Sequence, residues 1–252
     1  MHLLLINPNI SASVSALIEA EALRTASPGT TLEVLTAPFG VAYIETRFEA
    51  LIGAYAAAQV AAEHHERADA VIVAAFGDPG LAGMREVLPC PVTGLSEAAL
   101  MSACLMGHRF SIVAISSRIR AWYRETVEHN GLAGRLASIR GLDEPLADIG
   151  TVQGDQRAAL LACATRCVDE DGADVIILAG APLAGLARSL GAALPVPVVD
   201  GVSSAVRHAQ NLVALRPSAP RAGSFAPPPA KLRQGLPAAI DALMKAREQQ
   251  RS

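Results

Sequence analysis

Along the chain, short apolar blocks alternate with longer Ala-rich stretches in which apolar and polar residues mix. Blocks such as Ala70 to Ala75 and Val175 to Ala179 are apolar throughout, the pattern of a strand covered on both faces. The expected order begins with a strand at His2 to Asn7, a helix at Ser11 to Thr25, a strand at Thr31 to Ala37 and a helix over most of Ile44 to Arg67. After the strand Ala70 to Ala75 come a short helix, a strand near Val92 to Thr93 and the helix Ser96 to Leu105. Phe110 to Ser116 then opens a second series: helices at about Ile119 to His129 and Gly154 to Asp169, the strand Val175 to Ala179, a short helix after Pro182, the strand Val196 to Val199 and the helix Val202 to Leu212. Residues 216 to 230, rich in Pro, Ala, Gly and Ser, read as an irregular surface segment before a last helix at about Lys231 to Arg247. Strand, helix, strand order with short loops predicts parallel sheets with right-handed crossovers.

The two series are copies. Asp69-Ala-Val-Ile-Val-Ala-Ala-Phe-Gly-Asp-Pro-Gly-Leu81 runs on to Pro91-Val-Thr-Gly94, and Asp174-Val-Ile-Ile-Leu-Ala-Gly-Ala-Pro-Leu-Ala-Gly-Leu186 runs on to Pro197-Val-Val-Asp-Gly201. The expected fold class is therefore α/β, with two pseudo-symmetric lobes, each a mainly parallel sheet flanked by helices, and the site between them. Residues 1–107 plus about 213–252 would form one lobe and 108–212 the other.

Composition narrows the partners. Charged residues make up 18% of the chain and the formal net charge is -3, so attraction to nucleic acid or to an anionic membrane is not expected, and a small molecule is the expected partner. No apolar run approaches the ~20 residues a membrane span needs. Residues 1–6 lack a basic flank and run into Asn7-Pro8-Asn9, so they read as a strand and its turn, and the protein as cytoplasmic. Cys90, Cys104, Cys163 and Cys167 read as small hydrophobes in a reducing compartment. Cys163 and Cys167 lie one helical turn apart, but no matching pair completes a metal site.

In each copy the buried strand ends at a Gly/Pro turn, Ala75 to Gly80 and Gly180 to Gly185, so chemistry is expected there. Asp78 before Pro79 reads as a helix cap or as a general base. The two helix starts would offer backbone N–H groups that favour a carboxylate or another planar anion. Asn7 and Asn9 end the first strand of one half, Ser116 and Ser117 that of the other, and both pairs can donate to carboxylate or carbonyl oxygens. Phe76, Gly77, Ala181 and Pro182 lie in the turns themselves. Glu45 either faces the cleft or lies in the solvated first turn of its helix. Asp200 reads as a cap for the helix near Val202. No Gly-x-Ser-x-Gly elbow, phosphate-cradling loop or dinucleotide fingerprint is present.

Six motifs in order resemble the aspartate/glutamate/hydantoin racemase superfamily, and most of all its hydantoin and allantoin racemase branch. They are Ile6-Asn7-Pro8-Asn9 with Ser11; Tyr43-Ile44-Glu45; Phe76-Gly77-Asp78-Pro79-Gly80-Leu81; Val92-Thr93-Gly94 with Glu97-Ala98-Ala99; Ala179-Gly180-Ala181-Pro182-Leu183-Ala184-Gly185; and Pro197-Val198-Val199-Asp200-Gly201, with Gly223-Ser224-Phe225 beyond them. The resemblance implies a small anionic or ureide substrate held between the lobes, no cofactor, and two cysteines that remove and return the α-proton from opposite faces. It also leaves room for a homo-oligomer. The matching positions here are Ala75 and Gly180, which carry no proton. The expectation is thus a racemase or isomerase that uses Asp78, Glu45 or a bound water instead, with a lyase or hydrolase on the same scaffold, or a non-catalytic binder, as alternatives. An engineered removal of the two cysteines would read the same way.

Overall fold

In the computed structural model, which describes residues 1–143, 149–216 and 218–251, the repeat becomes two four-stranded sheets with the same strand order. The first half runs β1 (His2–Asn7), α1 (Ala12–Thr25), β2 (Thr31–Thr36), α2 (Arg47–His64), β3 (Ala70–Val73), α3 (Leu81–Val87), β4 (Val92–Gly94) and α4 (Leu95–Met106). The second runs β5 (Phe110–Ala114), α5 (Arg120–His129), β6 (Leu136–Gly141), α6 (Val152–Asp155), α7 (Arg157–Asp169), β7 (Val175–Ala179), α8 (Leu186–Gly191), β8 (Val198–Asp200) and α9 (Gly201–Leu215), and α10 (Ala238–Glu248) follows. The sheets are ordered β2-β1-β3-β4 and β6-β5-β7-β8, every pair parallel.

Alternate residues of each central strand supply alternate cores. On the first sheet, Leu3, Leu5 and Ile72 pack against Val14 and Ile18 of α1 and against Val202, Val206 and Ala209 of α9. Its other face sets Leu4, Ile6 and Val71 against Val60 and Ala61 of α2, Met84 of α3 and Leu243 of α10. On the second sheet, Phe110, Ile112 and Ile177 meet Ala99, Leu100 and Ala103 of α4 with Tyr123 and Val127 of α5. Val113 and Ile176 meet Leu160 and Ala164 of α7 and Leu190 of α8. The last helix of each half therefore covers the sheet of the other half. The two exchanged helices touch at their starts, where a Cβ on Gly201 would lie 3.1 Å from Leu95 Cβ.

Several boundaries differ from the sequence expectation. The second helix starts at Arg47, not Ile44, because Thr46 and Glu49 form a reciprocal capping box there. The last helix begins at Ala238, after Pro237, so Lys231 to Leu236 are not helical. Strand β6 was not anticipated: it is an edge strand of half-buried residues whose only fully buried member is Ile139, too weak a pattern to read. Part of the segment read as irregular, Pro217, lies outside the described residues. No helix among them is long and apolar enough to cross a membrane.

Candidate active site

Strands β3 and β7 run parallel to their neighbours and release their chains at the same end of each sheet, so the two turns meet across the interface between the lobes. Ala75 and Phe76 from the first turn and Gly180, Ala181 and Pro182 from the second line one cavity. Asn9, Tyr43, Ile44 and Tyr123 close it. Its volume is about 20 Å³, room for little more than one water, so a ring-sized ligand enters only if the lining moves. Phe76 and Tyr123 form its aromatic wall, their ring centroids 4.7 Å apart.

Backbone geometry separates the two facing positions. Gly180 has φ 115°, a conformation that L side chains rarely adopt, whereas Ala75 is not among the positive-φ residues. A Cβ at 180 would find space, with Pro182 Cδ at 3.5 Å, but not a relaxed backbone. Gly180→Cys is accordingly expected to cost about 1–3 kcal/mol and Ala75→Cys less than about 1 kcal/mol, measured by urea unfolding. Equal losses would show that the Gly180 backbone is not strained by a side chain.

The other expected residues separate. The Asn7 carboxamide donates to Asn9 Oδ1, to the Ser11 carbonyl and to Ser15 Oγ, and so organises the turn from β1 into α1 rather than facing the cavity. Ser116 Oγ accepts from the Arg118 amide and closes the local turn, while the Ser117 amide donates to the Leu142 carbonyl and fastens the end of β5 to the chain beyond β6. Glu45 is half-buried, and its charge helps to raise both the Tyr43 and the Tyr123 phenols, after burial, the main cause in each.

Asp78 is a cap, but not of its own helix. Its two carboxylate oxygens accept from the Ser96 and Glu97 amides, both at 2.8 Å, which begin α4. The N-cap of α3 is Gly80, which has no side chain to contribute. Burial pushes the Asp78 carboxyl up to about 7, against the two amide hydrogen bonds that favour its charged form. It lines a separate groove of about 420 Å³, with Gly77, Arg85 and Trp122. Nor are all the turn amides free for a ligand: Gly77 N–H donates to Ser96 Oγ and Gly185 N–H to Asp200. Asp200 caps α9 through the Ser203 amide, as its place before Val202 suggested.

The residue the sequence reading passed over is Tyr43. It was noted only as part of a motif, yet its hydroxyl is fully buried with no hydrogen-bond partner. None of the four cysteines lines the cavity. Burial raises the thiols of Cys90, Cys163 and Cys167, that of Cys90 to about 11. No cluster of three or more His, Cys, Asp or Glu suited to a metal ion occurs among the described residues.

A family model for Asp/Glu/Hydantoin racemase matches residues 3–209. The chain belongs to that family. A hydantoin racemase of Paenarthrobacter aurescens is 37% identical over 238 residues, covering 92% of this chain and 99% of that protein. The allantoin racemase of Klebsiella pneumoniae superposes with a TM-score of 0.89 at 32% identity, covering 95% of this chain and 98% of that one. For the allantoin racemase of Pseudomonas fluorescens the TM-score is 0.87 at 34% identity, with 93% and 100% covered. The family scaffold is thus present over nearly the whole chain, and its two turns meet at Ala75 and Gly180.

Proposed function

We propose that this protein is a cofactor-independent racemase-type enzyme that holds a small carboxylate or cyclic ureide between its lobes and moves the α-proton by a route other than paired cysteines. The observation that carries this reading is the meeting of Ala75 and Gly180 on one interlobe cavity, with neither able to take up a proton. The substrate class follows from the hydantoin and allantoin racemases to which the chain is similar over nearly its full length.

Glu45 is the carboxylate that fits the role of base. It follows directly on Tyr43 and Ile44, which line the cavity, and its charge reaches the phenols of both Tyr43 and Tyr123. In this scheme a water in the cavity takes the α-proton and passes a proton on to Glu45, leaving an enolate, and a proton returns from water to the opposite face of the carbon. Asp78 is given no part in it, because its carboxylate is engaged at the start of α4.

The test is to incubate the protein in D₂O with hydantoins, allantoin and amino acids and to follow α-deuterium by NMR. Exchange on at least one of them, above the rate without protein, is the expected result. A second reading, a non-catalytic binder, is favoured by the absence of any carboxylate, imidazole or thiol among the residues lining the cavity. It would show as ligand-induced thermal stabilisation without exchange.

A further inference from the structure

We propose that the Tyr43 hydroxyl is the donor that grips a carbonyl or carboxylate oxygen of the substrate in the interlobe cavity, and so selects for ligands that present an oxygen at that point. This rests on the reading that the cavity between Ala75 and Gly180 is the substrate site.

A buried tyrosine hydroxyl ordinarily finds a partner, and leaving one without is costly. Tyr43 has none although its hydroxyl is fully buried. The residues that share the cavity explain why. Ile44, Ala75, Phe76, Ala181 and Pro182 offer no side-chain acceptor. The one carboxamide, Asn9, has its oxygen already accepting from Asn7 Nδ2 at 3.0 Å and from the Ser11 amide at 2.9 Å. A carbonyl or carboxylate oxygen entering the cavity would supply the acceptor that Tyr43 lacks.

The hydroxyl also keeps its proton. Burial, with the charges of Glu45 and Glu49, pushes the phenol well above its ordinary range, so at neutral pH it donates and does not act as a base. A neutral O–H facing a developing enolate oxygen stabilises that charge in a site from which water is excluded.

The fold places the ring deliberately. Tyr43 sits in the connection between β2 and α2, which is pinned to the turn between β1 and α1 by a hydrogen bond from the Ile10 amide to the Val41 carbonyl. Gly53 on α2 leaves room for the adjacent Ile44: a Cβ there would lie 2.7 Å from Ile44 Cδ1 and 3.2 Å from the Pro8 carbonyl oxygen.

The experiment is Tyr43→Phe, which keeps the ring and removes only the hydroxyl. Without ligand, the variant should melt at the wild-type temperature or higher, because a buried group without a partner is gone. Titration calorimetry with allantoin and with hydantoin should show binding weakened about tenfold, with α-proton exchange reduced at least as much. A variant that binds both compounds as the wild type does overturns the role of the hydroxyl and leaves the cleft reading standing. A variant that melts well below the wild type also overturns it, since the hydroxyl then has a partner within the protein. Absence of both binding and exchange in the wild type overturns the cleft reading and this proposal together.

Discussion

Gly94→Ala is expected to destabilise the protein by about 2–5 kcal/mol, far more than one methyl group suggests. A Cβ at residue 94 would lie 2.3 Å from both Cγ and Oδ1 of Asp78, so the carboxylate has to leave. Two amides at the start of α4, those of Ser96 and Glu97, then lose their acceptor. Helix α4 packs on the sheet of the other half through Ala99, Leu100 and Ala103, so loosening its start disturbs both lobes. The repeat supplies a rescue. Aligning the copies at Asp69 with Asp174 sets Leu183 opposite Asp78, and aligning Pro91 with Pro197 sets Asp200 opposite Gly94. Each half thus holds one carboxylate at the start of its exchanged helix, drawn from the turn in the first and from the N-cap in the second. The double variant Gly94→Asp with Asp78→Gly should recover most of the loss, because residue 94 has the extended N-cap backbone (φ -116°) that aspartate accepts. Urea unfolding of the three proteins is the check. A wild-type midpoint for Gly94→Ala would show that Asp78 does not hold α4.

Glu45→Gln should reduce α-proton exchange by about 10²–10⁴-fold, the usual loss when a positioned acid or base is removed. The substitution conserves shape and leaves the backbone bond from the Glu45 amide to Glu49 Oε2 in place, so stability should change by no more than about 0.5 kcal/mol. Exchange rates measured by NMR, beside thermal melts of the same samples, separate chemistry from folding. A Glu45→Gln protein that exchanges as fast as the wild type would remove Glu45 from the proposed route. Asp78→Asn offers the contrast: its effect should fall on stability, through the start of α4, before it falls on exchange.

The sequence carried much of this architecture because the signals concerned are local. Continuous apolar runs marked β3 and β7, and the matching Gly/Pro turns behind them indicated that Ala75 and Gly180 would approach each other, as they do. Asp200 before the helix beginning at Gly201 was legible as a cap because donor and acceptor lie three residues apart. Asp78 misled for the opposite reason. Asp-Pro before a short helix predicts a cap of that helix, whereas a left-handed backbone at Asp78 (φ 47°) turns the carboxylate toward amides eighteen and nineteen residues further on. Asn7, Ser116 and Ser117 were placed by symmetry at the cleft, but their polar groups close the nearest turns instead.

By itself, then, the sequence determined the repeat, the parallel strands, the family and the lack of a proton carrier at the two turn positions, since each depends only on residue type and spacing. Tertiary structure decided which helix covers which sheet, which helix Asp78 caps, and that the Tyr43 hydroxyl is buried with no partner. Those facts depend on distances between segments remote along the chain, and a hydroxyl's want of a partner is visible only once every neighbour has been placed around it.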